Sequence, residues 1–244
     1  MFNNIKTNYL WAIFLFLLVS CGSVKKADKT DVDADKEMEI RSNQKIEPVI
    51  SKNYLVIDEV KTSQYLKKIL NSLFKNKKET PLNSIFAISS ERSSLGVRTW
   101  VIPPYKIMVD VEILKSLDFE SEIAALIAFH YERSVGKGFK TKLSEFFTNE
   151  TTLTVESLYQ WSDIEDFQAI ESAVERLYES QYDPRSLHSL FLKIEKFGLT
   201  SDYKTPLEQL KTKTLRAISF YPPLLNPVVQ SEDFYKAKKV WGRL

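Results

Sequence analysis

The segment Glu122-Ile-Ala-Ala-Leu-Ile-Ala-Phe-His-Tyr-Glu-Arg133 carries the strongest structural signal in this chain. Its apolar residues recur at helical spacing, which predicts one buried helix from about Phe119 to Val135. Asp118 is a suitable N-terminal cap, and Gly136 and Gly138 mark the end. The alanines allow neighbouring elements to approach closely. The inward face is predicted to contain Ile123, Leu126, Ile127, His130 and Ser134.

The charge balance argues against one class of partner. The chain has 244 residues, with 34 Lys and Arg against 32 Asp and Glu. Such a near-neutral chain has no overall basic field of the kind that nucleic-acid-binding domains carry, so we expect no nucleic-acid partner. Cys21 is the only cysteine, which excludes an intrachain disulfide.

Residues 1–20 have the pattern of a lipoprotein signal peptide. Lys6 precedes an apolar run over residues 10–19, which is too short to span a bilayer comfortably. The run leads into Leu-Val-Ser-Cys21, which is similar to a bacterial lipobox, whose Cys becomes the lipidated first residue of the mature protein. An ordinary signal peptide with a chance cysteine is the alternative.

The lipid on Cys21 would attach the protein to a membrane. Because Gly22 rather than Asp follows it, the resemblance to Gram-negative lipoproteins implies the periplasmic face of the outer membrane. Residues 21–53 alternate Lys with Asp and Glu and contain no aromatic residue, which predicts a disordered tether.

The remaining sequence predicts a mainly helical α+β fold. Short β-branched runs at 83–90, 97–102 and 106–111 predict a small antiparallel sheet before the central helix. A capping box at 162–165 opens the first of several later helices, in which Ile164 and Phe197 are assigned to inward faces. We expect one globular domain over residues 54–218, followed by a Pro-rich tail with a short helix at 219–244.

Three segments together resemble a known family. They are Glu122-Ile-Ala-Ala-Leu-Ile-Ala128, Gln181-Tyr-Asp-Pro184 and, more weakly, Arg98-Thr-Trp-Val-Ile-Pro-Pro-Tyr105. Their order and spacing over roughly residues 60–215 resemble the zinc metallopeptidases related to HtpX and the CAAX prenyl proteases, in particular the periplasmic lipoprotein members. The resemblance implies a zincin-like fold with the small sheet packed on the active-site helix.

The positions that would carry the chemistry of that family are all substituted here. The motif HExxH places two His ligands four residues apart with a Glu base beside the first. The corresponding positions hold Phe129, His130 and Arg133, and the third-ligand position corresponds to Asp166. A Phe has no lone pair and an Arg is permanently protonated, so we predict no catalytic residues, no metal and loss of the expected zinc.

Ligands of one metal converge, so their replacements should converge too. The resemblance therefore predicts that Arg133 and Asp166 form an ion pair shorter than about 4 Å. The neighbouring Glu132 is expected to be solvated.

Three functions are compatible with these residues. The first is an inactive metallopeptidase-like lipoprotein that binds or scaffolds an unknown envelope protein or peptide. By analogy with active relatives, a peptide would add to a sheet edge predicted at Lys106, Ile107, Met108 and Val109. The second is an active periplasmic peptidase with a non-standard site, for which Ser134 near His130 is the only nucleophile to consider. The third is a purely structural envelope lipoprotein.

Overall fold

The computed structural model describes residues 29–75, 84–91, 93, 95–103, 106–148 and 153–243. The chain divides into two compact units, residues 1–37 and 38–244, and only residues 29–37 of the first are described. The predictions for the signal peptide at 1–20 and for lipidation of Cys21 lie outside the described residues.

The described part is mainly helical, with one small sheet. The strands are β1 (Leu55–Ile57), β2 (Ser84–Ser89), β3 (Thr99–Ile102) and β4 (Lys106–Asp110). The helices are α1 (Lys29–Lys45), α2 (Glu47–Asn53), α3 (Val60–Leu73), α4 (Val111–Ser116), α5 (Glu120–Val135), α6 (Lys137–Thr148), α7 (Val155–Leu158), α8 (Asp163–Glu179), α9 (Arg185–Lys196), α10 (Leu207–Ile218) and α11 (Glu232–Trp241), with a 3-10 turn at Thr200–Asp202.

The sheet is mixed, with strand order β1-β2-β4-β3. β1 pairs with β2 and β3 pairs with β4 in antiparallel fashion, but β2 and β4 are parallel. The predicted antiparallel sheet is therefore wrong at its centre. The chain crosses from β2 to the far edge before starting β3, so the β3–β4 hairpin brings β4 back beside β2 in the same direction.

The predicted central helix is confirmed as α5, and it is buried on all sides. Every residue from Glu120 to Tyr131 is buried, because α3, α8, α9 and β3 pack around the helix. Phe119 rather than Asp118 is the N-cap, so the predicted cap is wrong. Glu122 instead accepts the backbone N–H groups of Asp118 and Phe119 at 2.7 and 3.1 Å. Asp118 pairs with Lys193 of α9.

Both faces of the sheet are covered, which corrects the tether prediction. Alternate strand residues such as Val101 pack in the main core with α3 and α5, whereas Trp100 packs on the opposite face. Ile46 and Ile50, both fully buried, join that second cluster. A disordered tether is therefore wrong for residues 46–53, because their apolar pair closes the second face of the sheet.

The C-terminal segment also contributes to the core. Helix α11 packs on α3 and α4, and the indole N–H of its buried Trp241 donates to Thr62 at 3.1 Å. The predicted short helix is confirmed, and the segment before it is largely irregular. The capping box of Ser162 and Glu165 is confirmed as well. Ile164 and Phe197 are 70 % and 50 % exposed, so their inward assignment is wrong.

Candidate functional site

Arg133 and Asp166 form a buried ion pair between α5 and α8. The distance from Arg133 Nε to Asp166 Oδ1 is 2.7 Å, and both side chains are 0 % exposed. The contact that the family alignment predicted is thus confirmed. Buried guanidinium and carboxylate groups lose their hydration, so each depends strongly on the other.

Three aromatic rings enclose the guanidinium group of Arg133. Its central carbon lies 4.2 Å from the ring centre of Phe129, 4.9 Å from that of Tyr203 and 5.5 Å from that of Trp161. Phe129 is one helical turn before Arg133, so the two side chains face each other. Cation–π contact favours the planar arginine cation here.

His130 lies in the same region, where its ring contacts an uncharged partner. Its Nε2 lies 3.3 Å from the hydroxyl of Tyr203, and the residue is 2 % exposed. Burial, with the nearby Arg133 charge as the second cause, lowers the pKa of His130 well below its usual value. Burial also raises the pKa of Tyr203, so both partners are uncharged at neutral pH.

Ser134 does not form a nucleophile–base pair with His130 in this structure. Its hydroxyl donates to the backbone carbonyl of Tyr131 at 2.6 Å, within its own helix. The position in mid-helix gives it no adjacent pair of free backbone N–H groups to stabilise an oxyanion. The arrangement therefore offers no assembled hydrolytic constellation around His130.

Asp202 belongs to the site, although no sequence pattern predicted it. Its Oδ1 accepts the backbone N–H of Arg98 at 2.6 Å, and its carbonyl oxygen accepts from Arg133 Nη1 at 3.3 Å. Burial raises the pKa of Asp202 to about 7, against the opposing effects of the Arg98 hydrogen bond and the Arg133 charge. Asp202 lies in a 3-10 turn, where a single Asp has no distinguishing periodicity.

A second buried arginine connects the same two helices. Arg176 of α8 binds Glu132 of α5, with 2.6 Å from Nε and 2.5 Å from Nη2 to the same carboxylate oxygen. Its guanidinium lies over Phe74 and Tyr131 at 4.4 and 4.9 Å. The expectation that Glu132 is solvated is therefore wrong. Two arginine–carboxylate pairs, in opposite chain order, join α5 to α8.

The ion pair of Arg133 is incompletely satisfied. Arg133 Nη2, Asp166 Oδ2 and Asp202 Oδ2 are buried without a hydrogen-bond partner among the described residues. Buried polar atoms of this kind are costly. The pair is therefore expected to add little net stability, while loss of either member alone should be strongly destabilising.

The residues around Arg133 do not fit zinc. Phe129 has no donor atom, Arg133 is protonated and paired, and His130 contacts a tyrosine hydroxyl, while the carboxyl groups of Asp166 and Asp202 lie beside the Arg133 cation. In the described part of the chain, no group of three or more His, Cys, Asp and Glu is placed to hold a metal ion.

The predicted peptide-binding edge does not lie at a sheet edge. Strand β4 is paired on both sides, by β2 and β3, so Lys106, Ile107, Met108 and Val109 have no open edge. Of these residues only Lys106 is not buried, and it pairs with Glu47. The prediction at β4 is wrong because it assumed that the last strand of the hairpin is the outer one.

A scan against protein-family models and a search of curated proteins found no match to the chain. The family resemblance therefore rests on the residues quoted above and on their geometry. In the part of the chain that the structure describes, no helix is both long and apolar enough to cross a membrane.

Proposed function

We propose that this chain is a catalytically inactive, metallopeptidase-like lipoprotein that binds or scaffolds protein at the outer membrane. The observation that carries the proposal is the 2.7 Å ion pair of Arg133 and Asp166. These residues occupy the second and third ligand positions in the alignment to the zinc peptidases. A guanidinium group that faces Phe129 takes the space that a metal and two imidazoles would need.

The surroundings of the pair disfavour hydrolysis. A peptidase needs a polarised water or a nucleophile, together with groups that stabilise the developing oxyanion. Here His130 is neutral and bound to Tyr203, and Ser134 is bound within its helix. Instead, the Arg133 guanidinium is enclosed by aromatic rings and paired with Asp166, which joins α5 to α8.

The first strand offers an edge for protein binding. β1 is an outer strand of the sheet, and no other described strand pairs with its outer side. Leu55 and Val56 are 68 % and 38 % exposed. An extended segment of a partner could add to such an edge through main-chain hydrogen bonds. This edge replaces β4 as the candidate for strand addition.

The test uses unfolded casein as an extended probe for the purified full-length protein in detergent. We expect saturable binding by fluorescence anisotropy, with casein remaining intact on gels. Leu55→Lys should weaken binding, because a charge on an edge strand opposes strand addition. Val60→Lys is the matched control, since Val60 is also exposed, at 62 %, but lies on α3.

The other candidate functions give different results. Cleavage of casein that disappears in His130→Gln would support the active peptidase. Neither binding nor cleavage would leave a purely structural lipoprotein and would overturn the proposal. Equal loss of binding in Leu55→Lys and Val60→Lys would reject β1 as the binding edge.

A further inference from the structure

Helix α3 has a basic outer face with no acidic residue. Its sequence, Val60–Leu73, contains neither Asp nor Glu. Positions 61, 64, 68, 71 and 75 follow at intervals of three and four, so they lie along one side. The exposed residues that we call the α3 basic face are Lys61, Gln64, Lys67, Lys68, Asn71 and Lys75.

This face contains a shallow concavity of about 460 Å³. Every side chain that lines it carries a hydrogen-bond donor, and none is acidic; the lining residues are Gln64, Lys67, Lys68, Asn71, Ser72 and Lys75. Ammonium and amide groups suit phosphate oxygens, which accept several hydrogen bonds. The chemistry of the surface is therefore that of a phosphate-bearing partner.

Part of the positive charge on this face is available for a partner. Lys68 is bound to Asp233 of α11 at 2.7 Å. Against the opposing effect of burial, hydrogen bonds from Thr62 and the charge of Lys61 lower the pKa of Glu59. Lys67 and Lys75 form no ion pair with any described residue. Among the described residues, these two exposed ammonium groups at the concavity thus have no carboxylate partner.

We propose that the α3 basic face docks on the anionic lipid headgroups of the membrane to which the chain is attached. The inference rests on the lipid anchoring of Cys21 that is part of the proposed function. An anchor keeps the domain near the bilayer, so even weak contacts are made at high effective concentration. Each lysine near an anionic surface strengthens attraction roughly fivefold, and the attraction weakens beyond a Debye length.

The test measures protection of individual lysines in the full-length lipoprotein. The protein is reconstituted in nanodiscs of phosphatidylcholine alone or with phosphatidylglycerol, treated briefly with an amine-acetylating reagent and analysed by mass spectrometry. In anionic discs the four lysines of the α3 basic face, Lys61, Lys67, Lys68 and Lys75, should react more slowly than in neutral discs, by up to about fivefold. Lys140 and Lys204, which are exposed on other parts of the fold, should be unchanged. About 1 M salt should abolish the difference.

Paired variants separate docking from a general charge effect. Lys67→Gln with Lys75→Gln should remove the protection of Lys61 and Lys68, whereas Lys140→Gln with Lys204→Gln removes the same charge and should leave it intact. Thermal unfolding by circular dichroism should be equal for both variants, since all four side chains are exposed.

Several results would overturn the inference. Equal protection of all lysines, or protection that survives in the Lys67/Lys75 variant, would exclude docking by this face. If inorganic phosphate protected the same lysines equally on neutral discs, the ligand would be free phosphate rather than a membrane. A chain that does not remain with the discs would refute the anchoring itself, whereas retention without protection refutes docking alone.

Discussion

Removal of one partner of the Arg133–Asp166 pair should be among the most destabilising single changes in the chain. In Arg133→Met the aliphatic part of the side chain is kept, but Asp166, 0 % exposed, loses its 2.7 Å partner. An uncompensated buried charge costs about 3–5 kcal/mol. Loss of the contacts with Phe129, Tyr203 and Trp161 adds about 0.5–2 kcal/mol.

The assay is thermal and urea unfolding of the full-length protein, followed by circular dichroism. For a chain of this size each kcal/mol lowers Tm by about 2–4 °C, so a loss of about 3.5–7 kcal/mol should lower the Tm of Arg133→Met by roughly 7–28 °C. Arg185→Met is the matched control, because Arg185 also pairs with an Asp at 2.7 Å but is 70 % exposed. That variant should lose less than about 1 kcal/mol.

The double variant Arg133→Met with Asp166→Leu distinguishes pairing from simple packing. It removes both charges together, and replacement of a buried pair by apolar residues is often neutral. We expect it to be more stable than either single variant. The reasoning would be refuted if Arg133→Met cost no more than Arg185→Met, or if the double variant lost the sum of both single losses.

Two further predictions address the surroundings of the pair and the fold. Burial raises the pKa of Asp202 from 3.8 to about 7, so the folded state binds this proton more tightly than the unfolded state does. The free energy of unfolding should therefore fall as the pH rises from about 4 to 7. In Asp202→Asn this decline should be smaller in urea titrations across that range, and an unchanged slope would contradict the assignment. Ile50→Ala should cost about 2–5 kcal/mol because Ile50 is fully buried, whereas Ile40→Ala, at a position 49 % exposed, should cost little. Equal small losses in both variants would restore the tether interpretation for residues 46–53.

The sequence predicted the elements whose signal is local. The helix around Ile123–Arg133 contains a long, almost continuous apolar run, and Ser162 with Glu165 forms a capping box within one turn. The tether prediction was wrong for residues 46–53 because the high charge of the segment concealed Ile46 and Ile50. Their partners lie on a sheet face that is distant in sequence. The predicted strand pairing was wrong because hairpin signals place β3 beside β4 but do not determine which of the two strands pairs with β2.

The site could be predicted only at positions that the resemblance to a family motif related to one another. Phe129, Arg133 and Asp166 could be related because metal ligands converge, and the ion pair followed from that. Glu132 with Arg176 and the turn residue Asp202 belong to no such motif, so their contacts depend on the packing of α5 against α8 and the 3-10 turn. Charge pairing between distant helices leaves no periodic trace in one sequence.

The most direct measurement is the zinc content of the full-length protein after equilibration with zinc and removal of the free ion. We expect no stoichiometric zinc in the natural chain. We expect one ion per chain in the variant that combines Phe129→His, His130→Glu and Arg133→His, because both imidazoles would then face Asp166. One zinc ion in the natural chain, or none in a variant that remains folded, would contradict the claim that this ion pair stands where a metal was held.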